Sequence, residues 1–279
     1  MVVIIFDAFG GLCNQFFDIM SGINFCLEHN LFFTFRHCSF RNDNLNSWRN
    51  KPIEELFDLN LFKEYKLYIN YYDIKDKLTN NNCYNLNNNI LSTLFLTKNN
   101  ILDQITTNNI LDQIIKLNKE YVVLQFFYPL CNFENFIDKT INARINPSKH
   151  IMEKYIEIKN TMKDEPYNFI HYRYENDFTD YFKIKIESLD NLIKNIKFKN
   201  NNLKIYVATS NIKKILDLNN SKYNNLIYKN DDLLTDLNYE QRAFIDYMFG
   251  INSVECYGHR RSSFSSCINI AKGTSNYYA

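Results

Sequence analysis

The sequence carries almost no excess of charge: 32 Lys and Arg stand against 31 Asp and Glu, a formal net charge of +1. No global field therefore recruits nucleic acid or an acidic membrane surface. No apolar run approaches the roughly 20 residues of a membrane span. No basic-then-apolar leader precedes Val2–Phe6, so a reducing, cytosol-like compartment is the expectation. The seven cysteines, Cys13, Cys26, Cys38, Cys83, Cys131, Cys256 and Cys267, are odd in number and form no CxxC pair. Several lie in apolar runs, which suits reduced core cysteines. Neither GxGxxG nor GxxxxGK[ST] occurs, which leaves a reductase or a P-loop kinase without support. An Asp-x-Asp metal motif is also missing; Asp231-Asp232 lies in a polar stretch and reads as a solvated turn.

What is present is a chain of 279 residues, 46% hydrophobic, enough to bury one large core or two modest ones. Asn-rich runs at Asn80–Asn82 and Asn87–Asn89 read as compositional bias in loops. Val2–Phe6 is a short apolar run ended by glycines, the pattern of a buried strand. Helical spacing follows from Phe16 to His29, then a strand at Leu31–Phe35. Strand, glycine turn, helix and strand open a parallel sheet. Beyond it, helices are expected at Ile53–Leu61, Ile101–Leu117 and Lys149–Met162, and a strand at Tyr121–Phe127.

The second half alternates: strand Tyr167–Tyr172, helix Leu189–Ile196, strand Leu203–Ala208 and helix Asn211–Leu218. A weak strand at Leu226–Tyr228 precedes helix Tyr239–Phe249, strand Ser253–Cys256 and helix Ser262–Lys272. The class is α/β. Length and alternation suggest two Rossmann-like halves, with a boundary near residues 145–166.

Three segments carry chemistry. In His171-Tyr-Arg173-Tyr-Glu175-Asn-Asp177, a basic pair at i, i+2 ends a strand and two acids follow. Alternate strand residues face one way, so both bases can aim at one anionic ligand at the carboxyl edge of a sheet. The plain alternative is an arginine paired with a nearby acid. Gly10-Gly11-Leu12-Cys13-Asn14-Gln15 joins a strand to a helix, where glycines admit close approach of a ligand and the helix start offers N–H groups. Such a turn is also common as mere structure. Arg260-Arg261-Ser262-Ser263-Phe264-Ser265-Ser266 reads first as a helix N-cap and second as a diphosphate clamp. Thr209 and Ser210 end another strand. Asp246, an acid on the apolar helix, is either a surface position or a buried acceptor.

The order GG-L-x-N-Q, H-x-R-x-E-x-D, Y-V-A-T-S, I-D-Y and S-S-F-S resembles the GDP-fucose-dependent fucosyltransferases. The protein O-fucosyltransferase branch is closest, and the motifs are also similar to the α1,2- and α1,6-fucosyltransferases. Residues from roughly 40 to 150 match no motif of the family. Cys13 stands where a glycine is usual, and Ser210 where an acid is common.

The resemblance implies a GT-B-like fold, with two Rossmann-like domains facing across a cleft. Residues 1–150 would take the acceptor side and the glycine loop, and 151–279 the GDP-sugar donor. It implies inverting transfer of fucose to a glycan or protein hydroxyl, with GDP-fucose as donor substrate and no metal or other cofactor. Arg173 would meet the β-phosphate and the glycosidic oxygen, and His171 would line the nucleotide site. Ser262, Ser263 and Phe264 would bind phosphate, Asp246 and Thr209 the guanine end, and Gly10, Gly11 and Asn14 the donor side of the N-terminal loop. Glu175 and Asp177 are the candidates for a general base, or else orient Arg173; Asp7 and Asp18 are outsiders for the same task. Two other readings stand beside this one: a transferase using another nucleotide sugar, and an inactive glycan- or nucleotide-binding protein.

Overall fold

Val3–Asp7 is buried at every position, as a strand covered on both faces must be, and forms β1. Gly10 follows with φ +91°, a conformation that a side chain resists, and lets the chain turn into α1 (Leu12–Glu28). The computed structural model describes residues 1–41, 47–86, 104–125, 137–138, 140–162, 165–210, 212–229 and 231–278, without the side chains of 104–109, 125, 176, 177 and 231. Two compact units result, Met1–Lys149 and His150–Ala279.

In the first unit, β2 (Phe32–Arg41) and β3 (Trp48–Pro52) lie to one side of β1, and β5 (Tyr121–Gln125) and β4 (Cys83–Leu86) to the other. The order β3-β2-β1-β5-β4 is parallel except for β2 and β3, which pair antiparallel. Residues 42–47 are too few for a crossover of about a dozen residues, so the second strand has to run back. The sheet is therefore mixed where a parallel one is expected. Short helices α2 (Asn60–Lys63) and α3 (Tyr71–Ile74), then α4 (Gln104–Leu117) and α5 (Ile141–Arg144), complete the unit.

Helix α6 (Lys149–Thr161) leads into the second unit, where β6 (Tyr167–His171) is the central strand. After it come α7 (Asn176–Phe182), α8 (Leu189–Asn195), β7 (Lys204–Ala208), α9 (Ile212–Ser221) and β8 (Leu226–Ile227). Then α10 (Tyr239–Asn252), β9 (Cys256–His259), α11 (Ser263–Lys272) and β10 (Tyr277–Tyr278) close the chain. All pairings in the sheet β10-β9-β6-β7-β8 are parallel. From β6 the chain moves outward through β7 and β8, then crosses to β9 on the other side. That reversal opens a crevice at the carboxyl end of β6, the place where open α/β sheets bind ligands.

Alternation along β6 and β7 sorts the core into two layers. Ile170, Tyr172, Ile205 and Val207 face Leu189, Leu192 and Ile215. Phe169 and Tyr206 face the other way, where their rings stack at 5.7 Å and Tyr206 stacks on Phe249 of α10 at 4.4 Å. His171 is in phase with Phe169, so it belongs to the layer beneath α10 and α11.

Several boundaries differ from the sequence reading. The helix expected at Ile53–Leu61 is a 3₁₀ turn, Ile53–Glu55, followed by α2; the Asp58 side chain accepts the Asn60 N–H at 3.0 Å and breaks the run. The strand expected at Ser253–Cys256 begins only at Cys256, because α10 runs to Asn252 and Ser253 caps it, its hydroxyl donating to the Gly250 carbonyl at 2.7 Å. Asp231-Asp232 opens a 3₁₀ turn, Asp231–Leu234, pinned by the buried Leu234. The ends expected at Ile101–Asp103 and Phe126–Phe127, together with Cys131, Asn87–Asn89 and Asn211, lie outside the described residues. The other six cysteines are free thiols, five of them buried.

Phe249 joins three layers: its ring also meets Tyr155 of α6 edge-on at 4.9 Å and Tyr167 at 5.9 Å. Phe249→Ala should cost about 3–5 kcal/mol of stability, read from urea unfolding; a loss below about 1 kcal/mol contradicts this packing role.

Candidate active site

The carboxyl edge of β6 and β7 holds a cavity of about 210 Å³. His171, Thr209, Asp246, Glu175 and Phe264, five of the residues singled out in the sequence, line it. Ala208, Ser210, Lys229, Tyr239, Arg242 and Ala243 complete the wall. Lys229, Tyr239 and Arg242 gave no signal in the sequence, since each stands in a polar stretch without a motif.

His171 ends β6 with its imidazole 4.5 Å from the Phe264 ring and Nδ1 2.9 Å from the Ser265 hydroxyl. Burial holds its pKa well below the ordinary value, with Arg173, His259 and Lys229 adding to the effect, so the ring is neutral at pH 7. Ser265 can come this close because β9 passes it at Gly258; a Cβ there would lie 2.2 Å from the serine oxygen. Ser262 is the N-cap of α11 and buried, with its N–H donating to the His259 carbonyl at 3.0 Å. Ser263 starts the helix beside it.

Asp246 is buried, as the second of its two readings requires. Its Oδ1 accepts from the Tyr206 hydroxyl at 2.8 Å, and its Oδ2 is ion-paired with Lys229. Tyr206, fully buried between Phe169 and Phe249, fixes that carboxylate from behind. Arg242 lines the same wall with Nε donating to the Leu237 carbonyl at 2.8 Å.

Arg173 stands beside this wall, and it is not on the strand. The ladder of β6 ends at His171, so the expected i, i+2 alternation on a single strand face is broken one residue early. Its Nε lies 3.2 Å from Glu175 Oε2, and its guanidinium sits 5.4 Å over the Phe178 ring. Glu175, the N-cap of α7, also accepts the Tyr174 N–H at 3.2 Å. Asp177 falls in the first turn of α7, and its side chain lies outside the described residues.

In the first unit, the glycine loop is built by Gln15. Its amide donates to the Gly10 carbonyl at 2.9 Å and the Ser39 carbonyl at 2.8 Å, and its oxygen accepts the Ser39 N–H at 3.0 Å. Asn14 is half-buried beside Gly10, where an added Cβ would lie 3.1 Å from its amide nitrogen. Arg41, missed in the sequence, stacks on Trp48 at 5.1 Å and fills the space over Gly11, where a Cβ would lie 2.8 Å from its guanidinium. Asp7 ends β1 paired with Arg36 and with His37 at 3.2 Å; burial works to raise its pKa, and these two partners bring it below the usual value. Asp18 accepts the Phe9 N–H at 2.8 Å and is buried.

Among solved structures, the chain is similar to POFUT1 in complex with GDP, with a TM-score of 0.68 at 11% identity over 100% of this chain and 98% of that one. It is similar to fucosyltransferase NodZ from Bradyrhizobium, with a TM-score of 0.61 at 10% identity over 96% and 92%. A mutant of Arabidopsis thaliana FUT1 in complex with GDP matches with 0.56 at 10% identity over 99% and 70%. The fold is that of known fucosyltransferases. At this identity the likeness extends to the fold and not to residue roles. No protein-family model matches the sequence, and no curated protein does. Among the described residues, no helix is long and apolar enough to cross a membrane, and no three His, Cys, Asp or Glu side chains gather for a metal ion.

The neutral His171 makes stability depend on pH. Its folded pKa is depressed, so its contribution is fully present above the unfolded value near 6.5 and is lost as pH falls below it. Stability should fall by up to about 1.4 kcal/mol per pH unit below pH 6.5 from this group. Urea midpoints from pH 7 to 5 should show a shallower slope in His171→Gln; an identical slope contradicts the assignment.

Proposed function

We propose that the protein is a glycosyltransferase that moves fucose from GDP-fucose to a hydroxyl of a glycan or protein, inverting the sugar carbon and needing no metal. The observation that carries this reading is the cavity at the carboxyl edge of β6 and β7, with an oriented arginine beside it. Its support from the fold is that POFUT1 and NodZ, which share it, are described in complex with GDP-fucose or soaked with it.

In this reading the second unit takes the donor and the first the acceptor, the division of labour of a GT-B transferase. Asp246 and Thr209 hold the guanine end, and His171 with Phe264 lines the nucleotide. Ser262 and Ser263, with the first N–H groups of α11, take phosphate oxygens. Gly10, Gly11 and Asn14 form the N-terminal loop on the donor.

The acceptor oxygen attacks the anomeric carbon from the face opposite the diphosphate. As that bond forms, the bond from carbon to the β-phosphate oxygen breaks, and its electron pair leaves with GDP. Charge therefore grows on the diphosphate, and Arg173 neutralises it there, a task other transferases give to a divalent ion. Glu175, in contact with the guanidinium, keeps the fork aimed. Glu175 and Asp177 remain the candidates to take the acceptor proton.

Arg173→Ala should cost about 2.7–4 kcal/mol of barrier with the unfolding midpoint unchanged. Arg173→Lys should fail too, because an ammonium cannot reproduce the planar fork. Near-wild-type turnover in either variant ends the assignment. Thermal shift should rank GDP above UDP and ADP, and a preference for a non-guanine nucleotide excludes GDP-fucose. If Glu175 or Asp177 is the base, the acid limb of the pH–rate profile should change in Glu175→Gln or Asp177→Asn; an unchanged limb in both removes them from that role.

A further inference from the structure

Strand β6 has partners on both sides, β7 and β9, and loses its ladder just where function needs precision. The ladder to β9 stops at His171 opposite Gly258, and the chain runs on through Arg173 without a paired strand. The backbone there is nonetheless held. The Tyr278 hydroxyl donates to the His171 carbonyl at 2.6 Å and accepts the Arg173 N–H at 3.3 Å. It adds a second donor to the His171 carbonyl, where the ladder to β9 ends, and takes the Arg173 N–H that a continuing strand would have paired. A phenol is suited to this because it donates and accepts at one atom. Burial pushes its pKa up, so it stays protonated and able to donate.

The ring reaches this position because β10 adds to the sheet outside β9, with Tyr278 opposite His259 and its ring edge-on to that imidazole at 5.5 Å. The two-residue strand is anchored in turn by Asn269 of α11. Its oxygen accepts from the Thr274 hydroxyl at 2.7 Å and the Asn276 N–H at 3.1 Å, and its amide donates to the Ser265 carbonyl at 3.0 Å. An unbroken series of hydrogen bonds and strand pairing thus runs from α11 to the backbone of Arg173.

We infer that Tyr278 is a positioning residue that fixes the backbone of Arg173, so that the guanidinium meets the diphosphate at a set distance. The inference deepens the proposed function and rests on the assignment of Arg173 to the β-phosphate. Glu175 and Phe178 hold the guanidinium end; Tyr278 holds the other, and a side chain as long as arginine needs both ends fixed to act as a preorganised group.

The test is the ratio of GMP to GDP dissociation constants, measured by calorimetry on the full chain. That ratio isolates the β-phosphate, and general loosening of the fold moves both constants together. Arg173→Ala should lower it about 10-fold or more, as expected for a charged hydrogen bond. Tyr278→Phe should lower it at least about threefold with GMP affinity unchanged, a smaller loss because the guanidinium is still present. A Tyr278→Phe ratio equal to wild type, beside a collapsed Arg173→Ala ratio, overturns the inference and spares the functional reading. Equal losses of GMP and GDP affinity reduce Tyr278 to a structural residue and overturn it as well. An unchanged ratio in Arg173→Ala removes the functional reading and the inference together. Should Tyr278→Phe not fold, Thr274→Val, which loosens the same tail at its anchor, decides by the same ratio.

Discussion

The end of β6 is where one strand gives up its backbone partners, and the groups around the cavity are arranged about that loss. An unpaired carbonyl or N–H beside a buried site costs free energy comparable to a lost hydrogen bond. Here side chains take over from the sheet. Tyr278 bridges His171 and Arg173, and the Tyr172 N–H still reaches the Ala208 carbonyl at 2.9 Å. Ser265 fixes the His171 ring in turn. A ladder bond can only continue a strand, whereas a side-chain bond holds the chain at Arg173 after the strand has ended.

Two of the cations about the cavity are paired with carboxylates, while Arg242 donates its Nε to the Leu237 carbonyl. Lys229 is matched by Asp246 and Arg173 by Glu175, while burial keeps His171 neutral. Isolated ions would be costly to desolvate, so pairing is what permits them in a half-buried crevice. The pairing also sets the energetics of binding. An anion approaching Arg173 or Lys229 meets a cation already committed to a carboxylate, so it gains only the difference between its contact and the one it joins or replaces.

Much of the α/β alternation was legible because the second unit is written in plain code. Tyr167–His171 and Lys204–Ala208 are buried runs bounded by polar turns, and α10 announces itself with a capping box at Asn238 and Gln241. The elements that were missed are those whose stability comes from neighbours. Trp48–Pro52 is polar along its middle and is a strand only because Arg41, Phe40 and Ser39 pair with it. Tyr277–Tyr278 is too short for any periodicity. Val254 drew the expected strand three residues early because it is β-branched, yet it is 52% exposed and lies in a bend, tied to β6 by its N–H donating to the Tyr167 carbonyl at 2.8 Å. Among cavity residues, those within motifs were visible. Lys229 and Arg242 were not, because a lysine after a weak strand and an arginine on a helix have no pattern that separates them from solvated residues.

The two units hold the carboxyl end of their first strand by the same physical means. In the first, Gln15 reaches back from α1 and bonds both the loop at Gly10 and β2 at Ser39, with its donor and acceptor both used. In the second, Tyr278 reaches across β9 and bonds the segment after β6 in the same bidirectional way. Each clamp is a side chain able to donate and accept at once, placed where a strand ends and the chain turns away from its ladder. This explains why a glutamine belongs to the glycine-loop motif: it holds the loop, while the neighbouring Asn14 stays half-buried beside the glycines. A glutamine next to glycines signals itself in sequence because clamp and loop are adjacent. Its counterpart lies 105 residues from the arginine it steadies, so only the fold reveals it.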